Sequence, residues 1–149
     1  MLAFKSVWAD IAHLIDYNKR TLITGHSLGG ALAELMALKL HKKHDSLNLV
    51  TFGKPNTFFK GFKRPLGLDK QYSVVHGSDM VARIPRLLYG PSCSQNQIYF
   101  CNEGSCVINP SKDFKRKDFL SEPDEAVSDH MMDGYKSSVK SYINEQTRK

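Results

Sequence analysis

The sequence predicts an α/β layer structure with a mostly parallel sheet flanked by helices, and three observations carry that reading. Apolar residues recur at helical spacing at both ends of the chain. Short apolar runs of strand length lie between them, and glycine or proline marks many of the junctions. Helical and strand patterns that alternate in this way point to strands joined by helical crossovers. At 149 residues the chain falls within the span of one ordinary domain, so residues 1–149 read as a single unit.

Taken in order, Ala3, Val7, Ile11, Leu14 and Ile15 make a helical stripe beside Trp8, predicting an amphipathic helix that ends near Asn18. The apolar run at residues 21–24 then reads as a strand that enters the glycine-rich segment Gly25-His26-Ser27-Leu28-Gly29-Gly30. Ala31, Leu32, Ala33, Glu34, Leu35 and Met36 are strong helix formers and predict a helix over residues 29–43. Residues 47–52 read as a buried strand stopped by Gly53-Lys54-Pro55-Asn56, and residues 71–76 as another, followed by the loop Gly77-Ser78-Asp79. Irregular structure is predicted around Ile84-Pro85-Arg86 and Gly90-Pro91-Ser92. A hairpin should then pair residues 97–100 with 107–109. Met132, Tyr135, Val139, Tyr142 and Ile143 form the apolar stripe of a closing helix over residues 129–145.

With 41% hydrophobic and 24% charged residues, and no apolar run long enough to cross a bilayer, disorder and a transmembrane anchor are excluded and a soluble globular chain is expected. Lys5, Asp10 and Asp16 interrupt the N-terminal apolar residues and no small-residue cleavage site follows, so this stretch does not read as a secretory signal. The net charge of +6 is concentrated in residues 54–119, at Lys60, Lys63 and Arg64 and again at Lys112, Lys115, Arg116 and Lys117. These clusters read first as a solvated face. No nucleic-acid motif or recurrent aromatic platform accompanies them, so no nucleic-acid partner is expected. Cys93, Cys101 and Cys106 lack the spacing of a zinc site. A bridge between Cys101 and Cys106 across the hairpin is conceivable, but free thiols are the favoured reading, because one cysteine is left over.

The chemistry lies in Gly25-His26-Ser27-Leu28-Gly29, a G-x-S-x-G pattern preceded by a strand and followed by a helix. A serine on such a sharp turn takes a strained backbone, and side chains two residues to either side would collide with neighbouring backbone. Its hydroxyl then projects at a helix N-terminus, where amide dipoles favour a developing oxyanion. Serine needs a base, and the base needs an orienting carboxylate, in the chain order Ser, acid, His. His13 and His26 precede Ser27, His41 and His44 follow too soon, and His76 ends the strand before the acid loop. His130, at a loop-to-helix junction, is left as the base. Asp79 follows a buried strand at its C-terminal end more clearly than Asp69, Asp113, Asp118 or Asp124, and is the predicted acid.

The stretches GHSLGGALA at 25–33, TFGKP at 51–55, VVHGSDMVARIP at 74–85 and Asp129-His130, in this order, resemble the class 3, or fungal-type, triacylglycerol lipases of the α/β-hydrolase superfamily. The resemblance implies Ser27 as nucleophile, His130 as general base and Asp79 as orienting acid. It implies that the Leu28 N–H is one oxyanion donor and that Arg83 and Pro85 are structural. It covers most of the chain but only the C-terminal part of that fold. The earlier strands, the lid helix and the loop carrying a second oxyanion donor are expected to be lacking, and a second chain completing the fold is one expectation.

Hydrolysis of carboxylic esters, with an acyl ester or lipid as substrate and no cofactor or metal, is therefore the expected activity. The alternative is a catalytically silent lipase-like module that binds a partner or membrane. Phe58, Phe59 and Phe62, beside Lys60 and Lys63, offer an apolar and cationic mixture suited to a lipid surface, although a core role is the favoured reading of these phenylalanines.

Overall fold

The computed structural model describes residues 2–44, 46–57, 68, 70–84 and 96–148. Phe58, Phe59, Phe62 and their neighbouring lysines, together with Cys93 and the two proline-containing turns from Pro85 onward, lie outside the described residues. Four strands, β1 (Thr21–His26), β2 (Leu47–Phe52), β3 (Lys70–His76) and β4 (Asn96–Phe100), run parallel in sequence order, and β5 (Cys106–Ile108) closes the sheet antiparallel to β4. Among the described residues four α-helices flank the sheet: α1 (Leu2–Ile11), α2 (Leu28–Leu40), α3 (Lys112–Ser121) and α4 (Met132–Thr147).

The register, with Ile23 opposite Leu49 and Phe52 opposite Val74, sorts side chains by strand parity onto two faces. Ile23, Leu47 and Leu49 meet Ala33, Ala37 and Leu40 of α2, with Trp8 of α1 packed against them. Val74 and Phe100 meet Tyr135 of α4 on the opposite face, joined by Val50, Phe52, Ile98, Met132 and Val139. Tyr99 points back toward the α2 side, where its ring meets Phe114 of α3 edge-on at 6.3 Å. A buried ion pair, Lys54 Nζ to Glu34 Oε2 at 2.9 Å, ties the loop after β2 to α2.

Parity also decides the cysteines. Cys106 shares a face with Phe100, its register partner, whereas Cys101 is the next residue along β4 and packs with Val75 and Tyr99 on the other face. The sheet stands between them. Both are free thiols, and burial pushes both above the usual thiol range.

Several boundaries differ from the predicted ones for local reasons. The first helix gives way to a 3-10 turn at Ala12–Leu14 and stops there, because Ile15 is extended and the Asp16 carboxylate accepts the Asn18 N–H in a turn of its own. The second helix ends at Leu40, with the His41 ring donating to the Leu38 carbonyl at 2.6 Å. The closing helix begins at Met132, after a separate 3-10 turn at Ser128–His130. The lysine-rich cluster at 112–117, read only as a charged face, is the body of α3, capped by Ser111 Oγ accepting the Phe114 N–H at 3.1 Å.

Candidate active site

The site lies at the C-terminal edge of the parallel strands. β1 delivers Ser27 into a turn with φ 55° and ψ −127°, a conformation L residues rarely adopt, and α2 starts at the next residue. The Ser27 carbonyl accepts the N–H groups of Gly30 and Ala31, and its own N–H donates to Phe52 O at 3.0 Å, so the strained residue is held from both sides. The tightness of the turn explains Gly25 and Gly30 but not Gly29, where a Cβ would meet nothing within 4 Å, so the collision expected two residues to either side of the serine occurs on the N-terminal side only. A Cβ on Gly25 would stand 2.3 Å from Gly29 O, and one on Gly30 would stand 3.0 Å from Gly25 O. Leu28 opens the helix directly after the serine, so its N–H has no intrahelical acceptor.

β3 delivers the acid. The fully buried Asp79 follows the turn at its end. Asp79 Oδ1 accepts the Val81 N–H at 2.8 Å and the Ala82 N–H at 3.2 Å, and Oδ2 accepts the Tyr135 hydroxyl at 2.5 Å. His130 completes the set: its Nδ1 lies 3.0 Å from both Asp79 oxygens and its Nε2 lies 2.8 Å from Ser27 Oγ. A carboxylate only accepts, so Nδ1 carries the proton and Nε2 is left to accept from the serine. The three residues predicted from order and context are thus joined in one hydrogen-bonded chain.

Between the ends of β1 and β3, β2 contributes room. Gly53 follows β2 with φ 52°, and a Cβ there would stand 2.6 Å from Asp79 Oδ2, 3.0 Å from the Tyr135 hydroxyl and 3.2 Å from His130 Nδ1. Only glycine gives both the backbone angle and the space.

The loop bearing the acid is tied down by side chains the sequence reading did not place there. Asp129 Oδ2 accepts the Ser78 N–H at 2.6 Å and Oδ1 lies 3.4 Å from His76 Nδ1, so the neighbour of the base grips the neighbour of the acid. Burial, opposed by the Ser78 bond and His76, raises the Asp129 carboxyl above the usual carboxylate range. The Arg83 guanidinium donates to Gly77 O and the Tyr99 hydroxyl, both at 3.0 Å, and lies over the Phe119 ring, 4.8 Å from its centroid. Tyr99 in turn donates to Asp118 at 2.8 Å, which is how α3 braces the loop. Tyr135, read in sequence as one member of an apolar stripe, is fully buried and also accepts the His76 N–H at 3.2 Å. Burial first, and then the charge of Asp79, push its phenol far above the ordinary tyrosine range, so it remains a donor. Among the described residues no group of three or more His, Cys, Asp or Glu side chains is placed to hold a metal ion, and no helix is long and apolar enough to cross a membrane.

A mostly parallel sheet flanked by helices, with a strained serine between strand and helix, defines the chain as α/β-hydrolase-like. It belongs to the class 3 lipase family, whose profile, described as Lipase (class 3), matches residues 1–89. Ser27 and Asp79 fall within the matched stretch and His130 beyond it. The chain is 40% identical over 72 residues to a secreted mono- and diacylglycerol lipase of Fusarium solani, a match covering 46% of this chain and 21% of that protein. It is 30% identical over 111 residues to a triacylglycerol lipase of Ricinus communis, covering 65% of this chain and 19% of that one. It therefore spans about one fifth of the length of the curated relatives it matches. Among solved structures, a lipase from Yarrowia lipolytica aligns with a TM-score of 0.46 at 26% identity over 64% of this chain and 36% of that one. A Rhizomucor miehei lipase in complex with its propeptide aligns with a TM-score of 0.49 at 23% identity over 71% and 36%.

Proposed function

We propose that this chain carries the Ser-His-Asp triad of a serine hydrolase that cleaves carboxylic esters of acyl lipids through an acyl-enzyme. The observation that carries the reading is the continuous chain Ser27 Oγ, His130 Nε2, His130 Nδ1, Asp79, with a 2.8 Å first link, at a positive-φ serine. Ser27 Oγ attacks the ester carbonyl while His130 Nε2 takes its proton, and the imidazolium is oriented and stabilised by the buried Asp79 carboxylate. The Leu28 N–H, at the positive end of α2, donates to the carbonyl oxygen as it becomes an oxyanion. Collapse expels the alcohol, which leaves with the proton from His130. A water activated by the same imidazole then attacks the acyl-enzyme and frees the acid and Ser27.

The surroundings of the three residues favour an acyl substrate. Leu28, Met80 and Met131 each follow one of them directly in the chain and are 63%, 43% and 61% exposed, so apolar surface suited to alkyl chains adjoins the triad in sequence. A lipid surface is the corresponding contact.

The test compares hydrolysis of short and long p-nitrophenyl acyl esters by the wild type and Ser27→Ala, with fluorophosphonate labelling of the same samples. Loss of the nucleophile should lower kcat by roughly 10³–10⁶-fold and abolish labelling. A wild type that folds yet neither labels nor turns over ester would support a silent lipase-like module instead, and turnover surviving in Ser27→Ala would exclude the triad.

A further inference from the structure

His26 precedes the nucleophile in the chain and is not the base, yet its ring lies against the base itself. His26 is the last residue of β1, on the strand face that looks toward α4. Its Nε2 lies 2.7 Å from the His130 carbonyl oxygen, and its ring stacks on the His130 ring with centroids 4.7 Å apart and planes 29° from parallel. A carbonyl oxygen can only accept, so Nε2 of His26 carries a proton and donates it. His26 also meets the Tyr135 ring edge-on at 5.8 Å.

His130 needs such a partner. It sits at the end of the 3-10 turn Ser128–His130, directly before the extended Met131 and outside any continuous helix ladder. Its N–H is held by the Val127 carbonyl and its ring by Asp79 and Ser27, while its carbonyl is held by His26. Because His26 and Ser27 are consecutive, one strand end fixes both the nucleophile and the backbone of the residue that must deprotonate it.

We propose that His26 is a positioning residue that sets the Ser27-to-His130 distance, by donating to the base's carbonyl and covering one face of its imidazole. The inference rests on the triad reading above. Errors of about 1 Å in such a distance cost on the order of 10²-fold in rate, so the expected effect falls on the chemical step and leaves substrate binding alone.

Two substitutions separate the donor from the ring. His26→Gln keeps an amide N–H near the position of Nε2 and loses the ring, and His26→Phe keeps the ring surface and loses the donor. With p-nitrophenyl esters and the full chain, His26→Ala should lower kcat and the rate of fluorophosphonate labelling of Ser27 by about 10- to 100-fold, with KM changed by about twofold or less. His26→Gln should recover most of that loss, and His26→Phe clearly less. Ser27-dependent turnover left unchanged in His26→Ala, or equal rates in the Gln and Phe variants, would overturn the proposal while leaving the triad standing. Full activity in Ser27→Ala would overturn the triad reading and this proposal with it. If His26→Ala does not fold, the Gln and Phe pair still decides the question.

Discussion

Tyr135→Phe isolates one oxygen at the centre of the site. The ring is fully buried against His26, Phe52 and His76, and phenylalanine keeps all of that packing. What disappears is a hydroxyl that donates to Asp79 Oδ2 and accepts the His76 N–H. A hydrogen bond to a charged group contributes about 1.5–3 kcal/mol, and a buried donor left without an acceptor costs about 1–3 kcal/mol. The two overlap, because the His76 bond is long at 3.2 Å. A net loss of roughly 2–4 kcal/mol follows, equivalent to a fall in Tm of about 5–15 °C for a chain of this size. Urea unfolding of the two proteins should show a lower midpoint with an unchanged slope, since the surface exposed on unfolding is the same. Turnover should fall about tenfold, because Asp79 keeps two backbone donors and His130. A variant as stable as the wild type, within about 0.5 kcal/mol, would show that the hydroxyl is not the acid's buried donor and would refute this account.

Two further outcomes concern the frame of the site. Lys54→Met removes the buried cation 2.9 Å from the Glu34 carboxylate, with both side chains almost fully buried, and should cost about 3–5 kcal/mol. Lys54→Met combined with Glu34→Leu should recover most of that loss in thermal melts, and a double variant no better than the single would contradict a charge-based origin. Asp129→Asn tests the raised carboxyl. An acid whose folded pKa is raised contributes stability at low pH that is lost as pH rises through the raised value, so the wild type should lose ground to the Asn variant as pH rises above the ordinary carboxylate range of about 4. The Asn carbonyl still accepts the Ser78 N–H, which keeps the comparison clean, and a Tm difference that does not move with pH, or moves the other way, would count against the assignment.

The strands and the serine turn were legible because their signals are local. Period-two burial in β2 and the glycines around Ser27 express short-range geometry that any strand-turn-helix junction must satisfy. The order of Ser27, Asp79 and His130 was legible because a fold of this kind delivers its serine, acid and base in that chain order. What stayed hidden was set by tertiary placement. Phe114 and Phe119 are too few among the lysines of α3 to announce a helix, although Ser111 before an acidic first turn was an available cap signal. Tyr135 spaces like an apolar residue, and only the position of its hydroxyl against Asp79 shows its second function. The Cys101 to Cys106 question turned on strand parity, because a shift of one residue moves a side chain across the sheet.

Three consecutive parallel strands end at this site, and each contributes something different: β1 the serine, β2 an absence of side chain at Gly53, and β3 the aspartate. Of the two positive-φ residues side by side at these strand ends, Gly53 adopts its angle freely, whereas Ser27 is held by the fold against its local cost. The holding bonds run between the ends: Ser27 N–H to the last residue of β2, Gly53 N–H to Val74 in β3, and Gly77 N–H to the last residue of β4. Each strand end is therefore pinned by the next, and the base, which belongs to none of them, is pinned through His26 and Asp129 to the first and the third. Geometry of this kind is lost as a unit, so substitutions at Gly53, Asp129 and His26 should combine non-additively in activity even though each touches a different strand end.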